Sequence, residues 1–177
     1  MPNYRRHHVA GGCYFFTINL LERHKNQLLI QHINILRQVV KQIRLKFPFH
    51  IDGWVVLPEH MHCIWTLPEG DDDYATRIRL IKTLFSKQIP KAERRSAVRQ
   101  RRCERGIWQR RYWEHVIRDE NDYIRHMDYL HFNPVKHGHV KQVKDWPYST
   151  FRHLVNKGVY PENWAGSDID INVGESG

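Results

Sequence analysis

The sequence predicts an α+β fold: a ferredoxin-like split βαβ sandwich, an antiparallel sheet with helices packed on it, plus an added C-terminal helix. Three observations predict it. Apolar stretches with the two-residue period of strands and the 3.6-residue period of helices follow one another as strand–helix–strand–strand–helix–strand–helix. Proline, glycine or aspartate clusters punctuate the junctions. The 177 residues, 41% hydrophobic and 12% aromatic, suffice for one ample core, and no internal repeat or linker divides them.

Taken in order, Arg5, Arg6, His7 and His8 form a short basic arm ahead of Gly11-Gly12. Cys13–Leu20, rich in aromatic and β-branched residues, reads as the first strand. Ile33, Leu36, Val40, Ile43 and Phe47 recur at spacings of three and four, so His32–Phe47 is an amphipathic helix that Pro48 ends. Trp54–Leu57 and Met61–Leu67 are apolar strands joined at a Pro58-Glu59 turn. The aspartates of Pro68–Asp73 can cap the next helix, Tyr74–Ile89. That helix carries Ile78, Ile81 and Phe85 on one face, Arg77, Lys82 and Lys87 elsewhere, and stops at Pro90. Trp113–Arg118 is the fourth strand. After the capping cluster Asp119–Asp122, Tyr123–Asn133 is a helix closed by Pro134 and Gly138. Asp145–Arg152 is expected to pack back as a short turn and helix. Residues 1–166 are expected to form a single domain, and the small acidic tail 167–177 to be disordered.

The formal charge of +9 favours an anionic partner, with nucleic acid the leading candidate. The charge concentrates in Lys91–Arg111, whose arginines are set against only Glu93 and Glu104 as acids. Such a segment is either a self-repelling, solvated loop or helix, or a phosphate-gripping surface. In the second case Trp108, Tyr112 and Trp113 could serve as base-stacking platforms. Cys13, Cys63 and Cys103 are odd in number, with no paired metal-type spacing. The N-terminus lacks the apolar core of a signal peptide, and no apolar run approaches a membrane span. These features predict a reduced, cytoplasmic protein without a membrane partner.

Candidate chemistry centres on His60 and His62. Strand residues two apart share a face, so both imidazoles project together from a rigid element. That geometry suits a divalent-metal clamp with open positions, or a paired acid–base site. In a chain of 13 histidines a chance pair is also to be expected. The helix before Pro134 offers a second half. Tyr129 and Asn133, four apart, lie about 40° from each other around the axis and share a face. His126 is on the same side, and Tyr123 points away.

Pro58-Glu-His-Met-His62 followed by Asp128-Tyr-Leu-His-Phe-Asn-Pro-Val-Lys-His-Gly138 resembles the REP-associated tyrosine transposases. These are members of the HUH single-tyrosine transposase superfamily, named for a His–hydrophobic–His strand motif. Tyr4-Arg-Arg, Gly12–Thr17, Trp54–Gly70 and Asp145–Phe151 extend the resemblance from about Tyr4 to Gly166. The resemblance implies that His60 and His62 hold a divalent cation, Mg²⁺ or Mn²⁺, and that Asn133 completes its shell. It implies that Tyr129 on the added, catalytic helix attacks single-stranded DNA to form a 5′-phosphotyrosine. It further implies REP-type imperfect hairpins as substrate, and either a monomer or a homodimer that exchanges the tyrosine helix. Arg5, Arg6, Lys82, Arg110 and Arg111 are the expected DNA contacts, and His126, His131 or a metal-bound water the conceivable proton acceptors for Tyr129. Two rivals fit the same basic chain: a non-catalytic nucleic-acid-binding module, and a metal-dependent phosphoesterase using water.

Overall fold

In the computed structural model, which describes residues 6–166, four strands form one antiparallel sheet. They are β1 (Cys13–Asn19), β2 (His50–Val56), β3 (His60–Thr66) and β4 (Trp113–Val116), in the order β2-β3-β1-β4. This is the expected split βαβ arrangement, with β3 inserted between β1 and β2 and antiparallel to both. Arg5 and the tail 167–177 lie outside the described residues.

Strand alternation gives the sheet two different faces. Tyr14, Phe16, Ile18, Trp54, Val56, Met61, Cys63 and Trp65 point to one side. There they pack against α2 (Ile33–Lys46), which follows a single turn, α1 (Leu28–Gln31), and against α3 (Tyr74–Gln88). Phe15, Val55, Leu57 and Ile64 point to the other side and meet Met127, Tyr129 and Leu130 of α5 (Glu120–Lys136). His60 and His62 share the parity of Ile64, so they belong to this α5 face. Gly53 makes the close approach of α5 feasible: a Cβ there would stand 2.8 Å from Met127 Sδ. The ladder between β2 and β3 shifts register at that point, between Ile51 and Gly53.

Caps define the helices as the sequence predicts. The Asp73 carboxylate accepts from Thr76 N at 3.0 Å, and that of Asp119 from Asp122 N at 2.8 Å. Pro134, however, does not close the last helix, which runs through it to Lys136. The ring removes one backbone donor and costs about 3 kcal/mol in an isolated helix. Here the helix is pressed along its length onto the sheet, and backbone bonding resumes at once with His137 N to Asn133 O at 3.0 Å. Gly138, at φ +73, ends it by donating to Val135 O.

The charged segments are less solvated than their sequence suggests. Arg77, placed by periodicity away from the apolar face of α3, is buried. Its guanidinium grips Asp71 at 2.6 Å and donates to the carbonyls of Pro48 and Asp73, each at 2.8 Å. It therefore ties the turn before α3 to the end of α2. Within the Arg-rich stretch, Ser96 caps a short helix, α4 (Ala97–Arg101). Arg105 there pairs with both oxygens of Glu93 at 2.6 Å and caps carbonyls at the end of α3, Ile89 O at 3.0 Å and Ser86 O among them.

The outer edge of β2 is covered by the chain after α5. Val56 N donates to Tyr148 O and Thr150 N to Trp54 O, both at 2.9 Å. A 3₁₀ turn (Val143–Asp145) and α6 (Phe151–Asn156) flank this cover. Among the described residues, no helix is long and apolar enough to cross a membrane.

Candidate active site

Strand β3 and helix α5 bring the two halves of the predicted site together. The rings of His60 and His62 are 4.9 Å apart, centroid to centroid, and Tyr129 meets His62 edge-on at 5.4 Å. Asn133 lies one turn after Tyr129 and donates weakly to its carbonyl, at 3.4 Å. All four side chains are almost wholly buried. Two residues that the sequence reading quoted within Asp128–Gly138 but gave no role join them. Lys136 holds its ammonium 5.0 Å from the centre of the Tyr129 ring, and the His137 ring lies 5.2 Å from that of His60. They are seven and eight positions after Tyr129, on the same side of the helix. The expectation that Pro134 ends the helix is what hid them.

Each histidine is oriented through Nδ1. That of His62 is 2.8 Å from Thr17 Oγ1, and that of His60 is 2.9 Å from Glu59 Oε1. Burial alone would raise the Glu59 pKa, but the hydrogen bond and charge of His60, aided by Arg23, bring it down to about 2. Burial pushes the His62 pKa well below its ordinary value; His60, His137 and Lys136 push the same way, and the nearby Asn133 amide opposes them. His62 is thus a neutral imidazole, the form that ligates a metal.

The donor set fits a divalent cation. With Nδ1 turned to Thr17, Nε2 of His62 is buried without a hydrogen-bond partner, and so is Oδ1 of Asn133. The pairing of these two atoms with each other, felt in the titration of His62, falls short of hydrogen-bond geometry, so both lone pairs can turn to a shared cation. Two imidazole nitrogens and an amide oxygen are donors that a divalent metal ion can share.

The remaining predicted residues are distributed differently. His131 is turned away from Tyr129. Its nitrogens are each 2.8 Å from an oxygen, Met127 O and Thr150 Oγ1, and burial brings its pKa down to about 4. Both ring nitrogens are engaged, which removes it as a proton acceptor for Tyr129. His126 has Nδ1 on the Asp122 carbonyl at 2.7 Å and stacks on His115. Among the described residues His115, Asp122 and His126 bring ligand-type atoms within 4.8 Å of one another. The Phe15 ring separates this trio from His62, with centroids 4.9 Å from His126 and 5.6 Å from His62. Its carboxylate is committed: Asp122 Oδ2 is 2.8 Å from His115 Nε2 and accepts from Arg118 N at 3.0 Å. Against the upward push of burial, these partners hold the Asp122 pKa far below the carboxylate range. The trio pins β4 to the start of α5.

On the opposite face, Arg6, Lys82 and Arg110 line one groove of about 1170 Å³ with Arg79, Lys87 and Arg99. Lys82 donates to Gln109 O at 2.7 Å, and burial, then Arg6, lowers its pKa to about 8. Arg110 meets both oxygens of Glu104 at 2.9 Å, and Arg111 is exposed.

Comparison with known proteins adds a close likeness. The chain is 49% identical over 175 residues to the REP-associated tyrosine transposase of Escherichia coli (strain K12), covering 99% of this chain and 98% of that protein. It is 49% identical over 173 residues to a protein of Haemophilus influenzae named as a putative REP-associated tyrosine transposase, covering 97% and 98%. A solved structure of a REP-associated tyrosine transposase bound to a REP hairpin superposes with a TM-score of 0.84 at 48% identity, covering 99% of this chain and 98% of that one. No protein-family model matches.

Proposed function

The chain belongs to the REP-associated tyrosine transposases, and on that premise we propose that it cleaves and rejoins single-stranded DNA at REP-type hairpins through a covalent 5′-phosphotyrosine. The observation that carries this reading is the Tyr129 ring 5.4 Å from His62, with His60 beside it, all within one chain. Three neighbours on two rigid elements stand close enough to meet one phosphate, which reaches these buried rings when the side chains covering them, Lys136 among them, move aside.

In this reading the phenol oxygen of Tyr129 attacks phosphorus, in line with the departing 3′ oxygen. The P–O3′ bond breaks, the phenol's proton leaves to solvent while the 3′ oxygen takes one up, and the 5′ phosphate stays on the tyrosine. Attack by a 3′-hydroxyl on that ester reverses the exchange and reseals DNA without ATP, because one phosphoester replaces another. His60, His62 and Asn133 would hold Mg²⁺ or Mn²⁺. When bound, the cation supplies Lewis-acid polarisation of the scissile phosphate. Thr17 and Glu59 keep the two imidazoles aimed. The Lys136 ammonium lies over the face of the buried Tyr129 ring, 5.0 Å from its centre, and puts a positive charge near the nucleophile.

Arg6, Lys82, Arg110 and Arg111 would carry DNA phosphates, with Arg5 of the basic arm. One chain carries the His pair, Tyr129 and Asn133 together, so a monomer can do the chemistry. Exchange of α5 between two copies would give the same site in a homodimer. The cytoplasm, at the nucleoid, is where such a protein acts.

The test is denaturing electrophoresis of protein and labelled REP-type hairpin with Mn²⁺. Wild type should give a protein–DNA adduct that chelator prevents, and Tyr129→Phe should bind the hairpin but form none. Cleavage without an adduct would point to a phosphoesterase using water. Binding with no cleavage in wild type would point to a non-catalytic module.

A further inference from the structure

Beyond the cleavage site, the register of the sheet singles out Trp113. Val55 pairs with His62, His62 with Thr17, and Thr17 with Trp113, so these four form one row across all four strands. Residues paired directly across antiparallel strands point to the same face, here that of α5. Val55 lies buried beneath the helix, whereas Trp113, on the edge strand, is 36% exposed. Two strand spacings put its backbone about 10 Å from that of His62. An exposed indole on a rigid strand, on the same face as the reacting residues, is a stacking surface.

The adjacent aromatics are occupied. The Arg6 guanidinium covers the Tyr112 ring at 4.3 Å and also bonds its hydroxyl. Trp108 donates through Nε1 to Lys82 O at 3.2 Å and sets its ring against Phe85. Tyr112 precedes Trp113 and so points to the other face, where it lines the cationic groove. β4 is therefore a rim, with Arg6, Lys82 and Arg110 on one side and Trp113, then His62 and Tyr129, on the other.

Cations take phosphates of any strand, but an indole takes a base only where that base is not already stacked inside a duplex. Resting on the function proposed above, we infer that the unpaired DNA beside the hairpin stem crosses the sheet at β4, with one base stacked on Trp113, and that this contact registers the scissile phosphate over His60 and His62.

The test uses Tyr129→Phe protein, which should bind without cleaving, and hairpins carrying 2-aminopurine at successive unpaired positions beside the stem. One position should be quenched on binding, with the quench lost in Trp113→Ala and kept in Trp113→Phe. Affinity for the flanked hairpin should fall roughly 5- to 150-fold in Trp113→Ala, the value of one stacked base, while a hairpin without the flank binds as before. Trp113→Thr, a better strand former, replaces the alanine variant should that one melt early. Unchanged quench and affinity would overturn the inference, as would equal losses for flanked and bare hairpins. The readout needs no cleavage, so a wild type that forms no adduct would sink the covalent mechanism and leave this contact standing or falling by itself.

Discussion

Replacing Thr17 with valine keeps the outline of a buried strand residue and removes one hydroxyl, the oxygen 2.8 Å from His62 Nδ1. Two routes give the magnitude. Leaving a buried imidazole N–H unpaired costs about 1–3 kcal/mol. Removing the group that orients a metal-ligating histidine lowers metal affinity by typically 10- to 100-fold, about 1.4–2.7 kcal/mol. The ranges overlap, so Thr17→Val should weaken Mn²⁺ binding by a factor in that span. Calorimetric titration of Mn²⁺ into Tyr129→Phe and Thr17→Val/Tyr129→Phe proteins measures it directly. In protein with Tyr129 intact, the Mn²⁺ concentration giving half-maximal cleavage should rise by the same factor, with most activity regained at saturation. Thr17→Ser, which retains the oxygen, should behave as wild type. Unchanged Mn²⁺ affinity in Thr17→Val would refute the assignment of His62 as a ligand held through Thr17.

Two further outcomes follow from charge placement. Lys136→Met should lower the single-turnover rate of adduct formation about 10- to 100-fold, as expected for losing a cation about 5 Å from the nucleophile's ring at intermediate dielectric. Lys136→Arg should recover part of it, and an unchanged rate would show that the ammonium does not act on the reaction. His131 makes a prediction about stability. Its pKa is about 4 in the fold against about 6.5 in an unfolded chain, so the unfolded state takes up the proton first as pH falls. Its contribution is complete above about pH 6.5, declines toward pH 4, and by pH 5 has lost ~2 kcal/mol. Urea unfolding at pH 7 and pH 5 should show that extra loss in wild type relative to His131→Gln; equal pH dependence in both would contradict it.

Local periodicity made much of this molecule readable. The aromatic and β-branched residues of Cys13–Leu20 foretold a strand, and the two-residue spacing of His60 and His62 put both imidazoles on one face of another. The four-residue spacing of Tyr129 and Asn133 did the same on the helix. What stayed hidden depends on register or on long-range partners. Thr17 and Trp113 align with His62 only once β1 is known to lie between β3 and β4. Arg77 and Arg105 look like surface charge in a sequence, because nothing local announces the carbonyls of Pro48 and Ile89 that they satisfy. Lys136 and His137 were lost to a sound rule: proline normally stops a helix, but tertiary packing here outweighs the missing donor.

The cover over β2 has a consequence for how anything can approach. Tyr148–Thr150 occupies the outward backbone groups of Trp54 and Val56, so an added strand cannot pair along that half of β2. β4 is only four residues long and, among the described residues, has no strand outside it. Pairing with an added strand is thereby left to the β4 edge, the flank that carries Trp113.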